Sequence, residues 1–438
     1  MPNRAICLAG GGPAAGLHIG VLKGLEENGI KFNNEGDVWA LSCIGAWVGI
    51  IYNQATEDRE IEETITFFRD VFRDDKSFKS FPANTVFTPD WAGNAEAMLD
   101  FLVEPRNYRN SFLPTEIMKS FMQTMAAIRR GSTLRRRTLR YKDRDEEVED
   151  FRDFSEGDFN RWTLNQVLAV NPAVRFLTAL LYKSNVHGLS RLYYPDSKFL
   201  NDINFTKVRN KKPFIYYNAW NLSEQKLVLF ANKDKKALPI TDIRHEIEGY
   251  KRISAASLCA CSALPFIEQT VTIGGDVYCE GALIDTINFR NLLEDNKDLD
   301  EIWISRLVDA NQVLPPRNLY DSLANLCELF CATVGEDDIE MFKCHLEHKD
   351  KDRWKKIKIV EIPVDCTINF EWSHSNLMHG IERGEAAAKR TVEHYNKVKR
   401  NPATVIRPPE DQNDIDKRLQ KRRELARKRL IEAGRAEP

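Results

Sequence analysis

No run of apolar residues in this sequence approaches the ~20 that a membrane-spanning helix requires. An excess of basic residues is also absent, because 63 Lys and Arg stand against 65 Asp and Glu, for a formal net charge of −2. Binding to nucleic-acid phosphates requires a basic face, so the sequence predicts no nucleic-acid partner. An apolar strand and a glycine run follow Arg4 at once, in place of the basic and apolar segments of a secretory signal. We therefore expect a cytoplasmic protein whose membrane contact, where it occurs, is peripheral.

A Cys-x-x-Cys pair is missing as well, although the sequence contains nine cysteines. Their odd number and their apolar contexts, as in residues 258–261, indicate buried, reduced thiols rather than a disulfide framework. His345 and His348 share a helical face beside Cys344, but no further ligand lies at a metal-binding spacing, so a solvated helix surface is the favoured interpretation. The sequence therefore predicts neither a metal nor a cofactor.

The first fifty residues have the pattern of a parallel β-α-β unit. A short apolar strand at 5–8 precedes a run of three glycines at 10–12, and a helix follows. A second strand at 38–41 leads to Cys43, Gly45 and another helix. In such a unit the turns that follow the two strands meet at one edge of the sheet. We therefore expect Cys43 to face the glycine run, and acyl chemistry to take place there.

The rest of the chain divides by composition. Residues 1–400 predict one α/β domain that carries a mostly helical insertion at about 56–200, where groups of apolar residues alternate with prolines. Residues 401–438 form a charged tail, and the thin apolar stripe of its helix at 414–433 favours a solvated surface helix. Further buried strands are predicted at 214–217, 227–230, 301–307 and 357–362, with a helix at 318–348.

Three separated segments together resemble one family, the patatin-like phospholipases. Residues 8–12 (Leu-Ala-Gly-Gly-Gly) and the helix after them resemble the family's glycine-rich oxyanion loop. Residues 41–46 stand where the family has its G-x-S-x-G nucleophile elbow, and residues 280–282, preceded by 262–265, stand where it has D-G-G or D-G-A. The resemblance covers residues 5 to about 290. It implies an α/β, three-layer core with a mainly parallel sheet, to which the composition adds the helical insertion and the charged C-terminal helix.

The resemblance also implies a site and a reaction. The family's Ser/Asp dyad corresponds to Cys43 and Glu280, and its oxyanion donors correspond to Gly11 and Gly12, with Gly10 shaping the turn. Gly45 is the second glycine of the elbow. The expected activity is hydrolysis or transfer of a lipid acyl ester through a Cys/Glu variant of the dyad. Glycine-loop amides stabilise the negative charge that develops on the carbonyl oxygen in such reactions.

Both members of the expected dyad have alternative interpretations. Helix N-termini favour anions, so we expect the Cys43 thiol to be shifted toward thiolate, whereas a buried, inert thiol is the plain interpretation. Glu280 is either the acid of the dyad or an ordinary solvated turn carboxylate. Ser42 is an alternative nucleophile that lies one residue out of register, and Asp276 or Asp285 could replace Glu280.

Two further alternatives concern the function as a whole. One is a pseudoenzyme that keeps the pocket to bind lipid or a protein partner, and another is a peripheral scaffold that acts through its basic tail.

On family analogy, the apolar helices of the insertion form a lid over the lipid tail. His18, in the first helix, is interpreted as a packed side chain rather than a catalytic one.

Overall fold

The computed structural model describes residues 2–71, 88–104, 186, 188–191, 198–234, 249–296, 298–306, 313–316, 319–348, 357–363, 372–400, 405–409 and 412–432. The chain divides into two compact units. One is formed by Met1–Pro89 with Ser190–Pro438, and the other by Asp90–Leu189. In the second unit, a helix begins after Asp90, whose side chain accepts a hydrogen bond from the N–H of Gly93 at 3.0 Å. Most of the predicted insertion lies outside the described residues.

The described helices are α1 (Ala15–Glu27), α2 (Ile44–Gln54), α3 (Glu60–Val71), α4 (Trp91–Val103), α5 (Lys198–Asn201), α6 (Phe205–Arg209), α7 (Ala255–Cys261), α8 (Phe289–Asp295), α9 (Leu319–His348), α10 (His374–Val398) and α11 (Gln412–Glu432). The described strands are β1 (Arg4–Leu8), β2 (Val38–Leu41), β3 (Thr88–Pro89), β4 (Gly188–Arg191), β5 (Phe214–Asn221), β6 (Lys226–Ala231), β7 (Tyr250–Arg252), β8 (Phe266–Glu268), β9 (Val271–Ile273), β10 (Asp276–Glu280), β11 (Glu301–Ser305), β12 (Lys358–Ile362) and β13 (Val405–Ile406). None of these helices is long and apolar enough to span a bilayer.

One large sheet organises the first unit. Its order is β13-β12-β11-β1-β2-β5-β10-β9, and β6 pairs with β5 and β7. The strands from β13 to β5 run parallel, whereas β10 pairs antiparallel with both β5 and β9. The predicted α/β fold with a mainly parallel sheet is confirmed.

Successive side chains of the central strands point to opposite faces of the sheet, and this alternation explains the three layers. Ile6 and Leu8 of β1 belong to the core on one face of the sheet, together with side chains of α1, α2 and α10. Ala5 and Cys7 belong to a second core on the other face, together with side chains of α8 and α9. A strand that is covered on both faces reads as a continuous apolar run, which is why residues 5–8 carry no polar side chain.

Strand register places the two predicted turns side by side. Leu8, the last residue of β1, pairs with Leu41, the last residue of β2. Both strands therefore end at the same level, and the glycine loop and Cys43 follow at one edge of the sheet, as the sequence predicted. Ser42 continues the pairing, since its N–H donates to the carbonyl oxygen of Leu8 at 3.0 Å.

Glycines bring α1 against α10. A Cβ atom at position 20 would lie 2.1 Å from the carbonyl oxygen of Ile381, and one at position 384 would lie 2.2 Å from that of Leu17. Any larger residue at either position would push the two backbones apart. Because α1 begins directly after the glycine loop, this close packing also fixes where the loop ends.

Candidate active site

A sharp turn between β2 and α2 presents Cys43. Its backbone has φ 46° and ψ −121°, a conformation that a non-glycine residue rarely adopts and that costs about 1–3 kcal/mol. The helix begins at once, since the N–H of Gly45 donates to the carbonyl oxygen of Ser42 at 2.8 Å. Gly45 is required here because a Cβ atom would lie 2.1 Å from the carbonyl oxygen of Leu8. The turn has the strained strand-to-helix geometry of a nucleophile elbow.

Leu41 occupies the position of the elbow's first glycine, and a second glycine accommodates it. A Cβ atom at position 49 would lie 2.6 Å from Cδ1 of Leu41, so the leucine side chain fills the space that Gly49 leaves on α2. Asn288 secures the same residue, because its Nδ2 donates to the carbonyl oxygen of Leu41 at 2.5 Å. The elbow therefore tolerates a large residue at its first position.

The glycine loop approaches Cys43 closely. A Cβ atom at position 10 would lie 3.2 Å from Cβ of Cys43 and 3.1 Å from Cβ of Ala282. Gly12 has φ 61°, in the region that favours glycine, and both Gly11 and Gly12 line a cavity in front of Cys43. Their N–H groups donate to no other described residue. The loop therefore keeps free amide donors beside the thiol.

His18 anchors the start of this loop. Its Nε2 lies 2.8 Å from the carbonyl oxygen of Ala9, and its Nδ1 lies 2.8 Å from Oγ of Ser305. The carbonyl can only accept, so Nε2 carries the proton and Nδ1 accepts from the serine hydroxyl. Burial lowers the pKa of His18 to about 4, so the ring is neutral at physiological pH. Sequence reasoning identified a packed histidine but missed this positioning contact.

Glu280 reaches Cys43 from the end of β10. It is only 2% exposed, and its N–H donates to the carbonyl oxygen of Ala263 at 2.9 Å. The Glu280 carboxylate lies close to Cys43, because a Cβ atom at position 10 would lie 3.2 Å from Cβ of Cys43 and 3.8 Å from Oε1 of Glu280. Burial raises the pKa of Glu280 to about 7, against the lowering effect of hydrogen bonding with the Cys43 thiol. A solvated turn carboxylate is therefore the wrong interpretation of this residue.

The expectation that Cys43 is shifted toward thiolate is also wrong. Burial, followed by the charge of Glu280, raises the pKa of Cys43 well above its ordinary value. The desolvation cost of a buried anion and the acidic neighbour outweigh the positive end of α2. Behind the elbow, Sγ of Cys261 accepts the N–H of Cys43 at 3.2 Å. The resting group at the elbow is thus a neutral thiol.

The alternative residues are engaged elsewhere. Ser42 is fully buried and donates through Oγ to Oδ1 of Asn218 at 3.1 Å. The Asp285 carboxylate accepts the N–H of Asn288 at 2.6 Å. Oδ2 of Asp276 accepts hydrogen bonds from Nδ2 of Asn221 and the Tyr278 hydroxyl, and it forms an ion pair with Lys251. None of these three side chains is part of the cavity wall, whereas Cys43 and Glu280 both are.

A cavity of about 520 Å³ opens in front of the thiol, and its lining is almost entirely apolar. The elbow and the glycine loop contribute its floor, and residues 262–268 contribute one wall. Helix α9 contributes another part of the wall, formed by Leu326, Cys327, Glu328, Phe330 and Cys331. Sequence reasoning identified the helix but not its place at the site. The predicted lid in the insertion lies largely outside the described residues.

The described residues contain no group of three or more His, Cys, Asp and Glu side chains that could hold a metal ion. Cys344 is exposed on α9. The side chains of His345 and His348, its neighbours in the metal-like pattern, lie outside the described part of the structure.

The fold and the elbow define a class: an α/β protein in which a strand-to-helix turn beside a glycine loop presents a cysteine, an arrangement similar to that of acyl hydrolases. Residues 6–293, about two thirds of the sequence, match the model of the family described as Patatin-like phospholipase. The chain belongs to this family, which confirms the predicted resemblance. Membership suggests a function of lipid hydrolase or esterase type.

No curated protein matches the chain. Among solved structures, VipD from Legionella pneumophila is similar at 9% sequence identity and a TM-score of 0.35, over 98% of this chain and 76% of that chain.

Proposed function

We propose that this protein hydrolyses or transfers the acyl group of a lipid ester, with Cys43 as nucleophile and Glu280 as its base. The observation that carries the proposal is the proximity of Cys43 and Glu280, which lie on either side of Gly10 in the wall of one apolar cavity. Nucleophile and base within hydrogen-bond reach are the geometric signature of covalent catalysis. Family membership supports the same reaction class.

The first half of the reaction begins with proton transfer. Glu280 takes the thiol proton as the sulfur of Cys43 attacks the ester carbonyl carbon, and a C–S bond forms. The carbonyl oxygen becomes an oxyanion, which the N–H groups of Gly11 and Gly12 stabilise, each donor contributing roughly 3–4 kcal/mol to the barrier reduction. The C–O bond then breaks, and the leaving alkoxide takes the proton from Glu280. A thioester remains on Cys43.

The second half resolves the thioester. Glu280 takes a proton from water or from an acceptor alcohol, whose oxygen attacks the thioester carbonyl. The C–S bond breaks, and the departing sulfur takes the proton back from Glu280. Water yields a fatty acid and an alcohol acceptor yields a new ester. The apolar lining of the cavity disfavours bulk water, which keeps acyl transfer as plausible as hydrolysis.

Glu280 suits the base role because burial places its pKa near 7. A base whose pKa lies close to the operating pH combines a large deprotonated fraction with useful basicity. The thiol, whose pKa is raised, is not ionised beforehand, so the reaction needs a base in contact with it. Cys43 and Glu280 therefore act as one unit.

A lipid-binding pseudoenzyme is the second candidate, and one observation favours it. The raised pKa of Cys43 keeps the thiol protonated at rest, which lowers its nucleophilicity. In that case the apolar cavity would hold a lipid or a partner's apolar segment without turnover.

Peripheral membrane contact forms part of the proposal. Phe266, Leu326 and Phe330 line the cavity and are each more than half exposed, at 59%, 51% and 51%. Exposed apolar side chains around a cavity are typical of a surface that meets lipid. We propose that this rim contacts a membrane from the cytoplasmic side.

Labelling tests the proposal directly. Purified protein is treated with iodoacetamide and fluorophosphonate probes, the adducts are mapped, and turnover of a p-nitrophenyl ester series is measured. If Cys43 is the nucleophile, we expect it to be labelled selectively, and we expect turnover to be lost in Cys43→Ala. Turnover should be unchanged in Cys344→Ala, a control at an exposed cysteine. Turnover that survives in Cys43→Ala would overturn the proposal. A folded protein without turnover or selective labelling would favour the pseudoenzyme.

A further inference from the structure

The side chain of Asn218 lies between the elbow and the turn that follows Glu280. Its strand, β5, stands between β2 and β10 in the sheet. Leu41 at the end of β2 pairs with Tyr217, and Glu280 at the end of β10 pairs with Ala219. Asn218 is the residue between these two pairing positions, so it lies at the level where both neighbouring strands end. One side chain at this position can reach both turns.

The Asn218 amide makes a hydrogen bond to each turn. Its Oδ1 accepts the hydroxyl proton of Ser42, the residue before Cys43, at 3.1 Å. Its Nδ2 donates to the carbonyl oxygen of Asp285 at 2.6 Å, on the loop that follows Glu280. Asn218 is fully buried and lies outside the described wall of the cavity. The amide therefore ties the two turns together without occupying the space that a substrate would fill.

Gly281, the residue directly after Glu280, packs against the same amide. A Cβ atom at position 281 would lie 2.7 Å from Oδ1 of Asn218 and 2.8 Å from its backbone carbonyl carbon. Only glycine allows so close an approach. The chain is therefore in direct contact with Asn218 as it leaves Glu280, and this contact restricts where the carboxyl group can lie.

A second amide closes the polar network. Asn288 is fully buried, and its N–H donates to the Asp285 carboxylate at 2.6 Å. Its Nδ2 donates to the carbonyl oxygen of Leu41 at 2.5 Å. The hydrogen bonds that begin at Ser42 therefore return to Leu41, its neighbour in the chain. Hydrogen bonds are electrostatically stronger in a buried network than in water, so the network holds the two turns in one arrangement.

We propose that Asn218 is a positioning residue, which holds the Glu280 carboxyl group beside the Cys43 thiol by joining the turns next to them. The inference rests on the proposed function, because it specifies what keeps the nucleophile and the base together. Cys43 and Glu280 are far apart in the sequence, so no local structure sets their separation. Asn218 acts through the backbone of both turns and takes no part in the proton transfer itself.

A double-mutant cycle measures this positioning without requiring turnover. The rate at which iodoacetamide alkylates Cys43 is followed at pH 8.5, and it reports the thiolate fraction because the thiolate is the nucleophile. An ionised carboxylate beside a thiol disfavours the thiolate, so Glu280→Gln should accelerate alkylation about tenfold when Asn218 is present. In Asn218→Ala, where the carboxylate is no longer held beside the thiol, the same change should accelerate alkylation by less than about threefold.

Asn232→Ala is the matched control. Asn232 is a buried asparagine near the start of β5, and both ends of its amide bond to the backbone. Its Oδ1 accepts the N–H of Ile215 at 2.9 Å, and its Nδ2 donates to the carbonyl oxygen of Pro213 at 3.0 Å. We expect the two alanine variants to lose a similar amount of unfolding free energy. Only Asn218→Ala should weaken the effect of Glu280→Gln on alkylation.

Ser42→Ala keeps the inference testable if Asn218→Ala does not fold. This variant removes only the hydroxyl group that donates to Oδ1 of Asn218. It should reduce the acceleration caused by Glu280→Gln to about fivefold or less. An undiminished acceleration in Ser42→Ala would contradict the link between the two turns.

An acceleration by Glu280→Gln that is unchanged in Asn218→Ala, that falls equally in Asn232→Ala, or that is missing from the protein with Asn218 would overturn the inference. Its failure is distinguishable from that of the proposed function. An acceleration that depends on Asn218, without Cys43-dependent turnover of esters, would leave the positioning role standing and remove the enzyme. Cys43-dependent turnover with an acceleration that does not depend on Asn218 would do the reverse.

Discussion

Leu41 and Gly49 form one packing unit: Cδ1 of the leucine lies 2.6 Å from the point where a Cβ atom at position 49 would stand. The leucine ends β2, directly before the elbow, and the glycine lies one and a half turns into α2. The fit between them lets an elbow without its usual first glycine keep the conformation that Cys43 requires.

Gly49→Ala tests this unit. The added methyl group collides with a side chain in a close-packed core, so we expect a loss of about 1–3 kcal/mol in the free energy of unfolding. In a Leu41→Ala background the same change should cost almost nothing, which a double-mutant cycle by urea denaturation would measure. Gly335→Ala on α9 is the control, because its Cβ atom would meet no atom closer than 3.9 Å and helix propensity favours alanine. Additive costs would refute the coupling.

His18 makes stability depend on pH. Its folded pKa, about 4, lies below the ordinary value of 6.5, so the unfolded state binds the proton more readily between these values. The stabilisation is complete above about pH 6.5 and is lost as the pH falls toward 4. We expect the wild type to lose about 2 kcal/mol of unfolding free energy from this residue between pH 7 and pH 5. In His18→Gln, that share of the pH dependence should disappear. An identical pH profile in the variant would mean that His18 does not titrate on unfolding.

The pKa of Glu280 predicts how turnover depends on pH. If its carboxylate takes the thiol proton, kcat/KM should rise about tenfold per pH unit below 7 and level off above it, since the pKa is about 7. Glu280→Gln should lower kcat/KM by about 10²–10⁴-fold, as expected for loss of a general base. Asp338→Asn is a useful control, because this half-buried carboxyl group also has a pKa raised by burial, to about 8, but lies outside the cavity wall. A profile that is flat between pH 5 and pH 8 would exclude Glu280 as the base.

If the exposed apolar rim of the cavity contacts membranes, the protein should bind lipid vesicles. Leu326→Ser combined with Phe330→Ser removes two half-exposed apolar side chains, each worth about 1.5–3 kcal/mol when fully transferred from water. We expect flotation with phosphatidylcholine vesicles to fall at least about tenfold for this double variant. Leu419→Ser on α11, which changes a leucine that is 40% exposed, should bind like the wild type. Equal flotation of all three proteins would place the membrane contact elsewhere or remove it.

Local patterns predicted where the strand-to-helix turn and the glycine loop lie. The spacing of the first strand, the glycine run, the second strand and Cys43 is contiguous in sequence, and parallel β-α-β geometry leaves one way to arrange it. The register of Leu8 with Leu41 then confirms the shared edge. Motif order alone also singled out Glu280, more than two hundred residues away, and the structure places it in the wall of the same cavity as Cys43.

Sequence alone determined the fold class, the strand-to-helix turn at Cys43 and the glycine loop, because each depends on short-range periodicity or on a motif. Only the tertiary structure decided the protonation of the thiol, the space that admits Leu41, the anchoring of the loop by His18 and the wall that α9 and Glu268 contribute. These properties depend on burial and on contacts between residues far apart in the chain. Desolvation reverses the effect of a helix N-terminus on a thiol pKa, and no pattern of neighbouring residues carries that information.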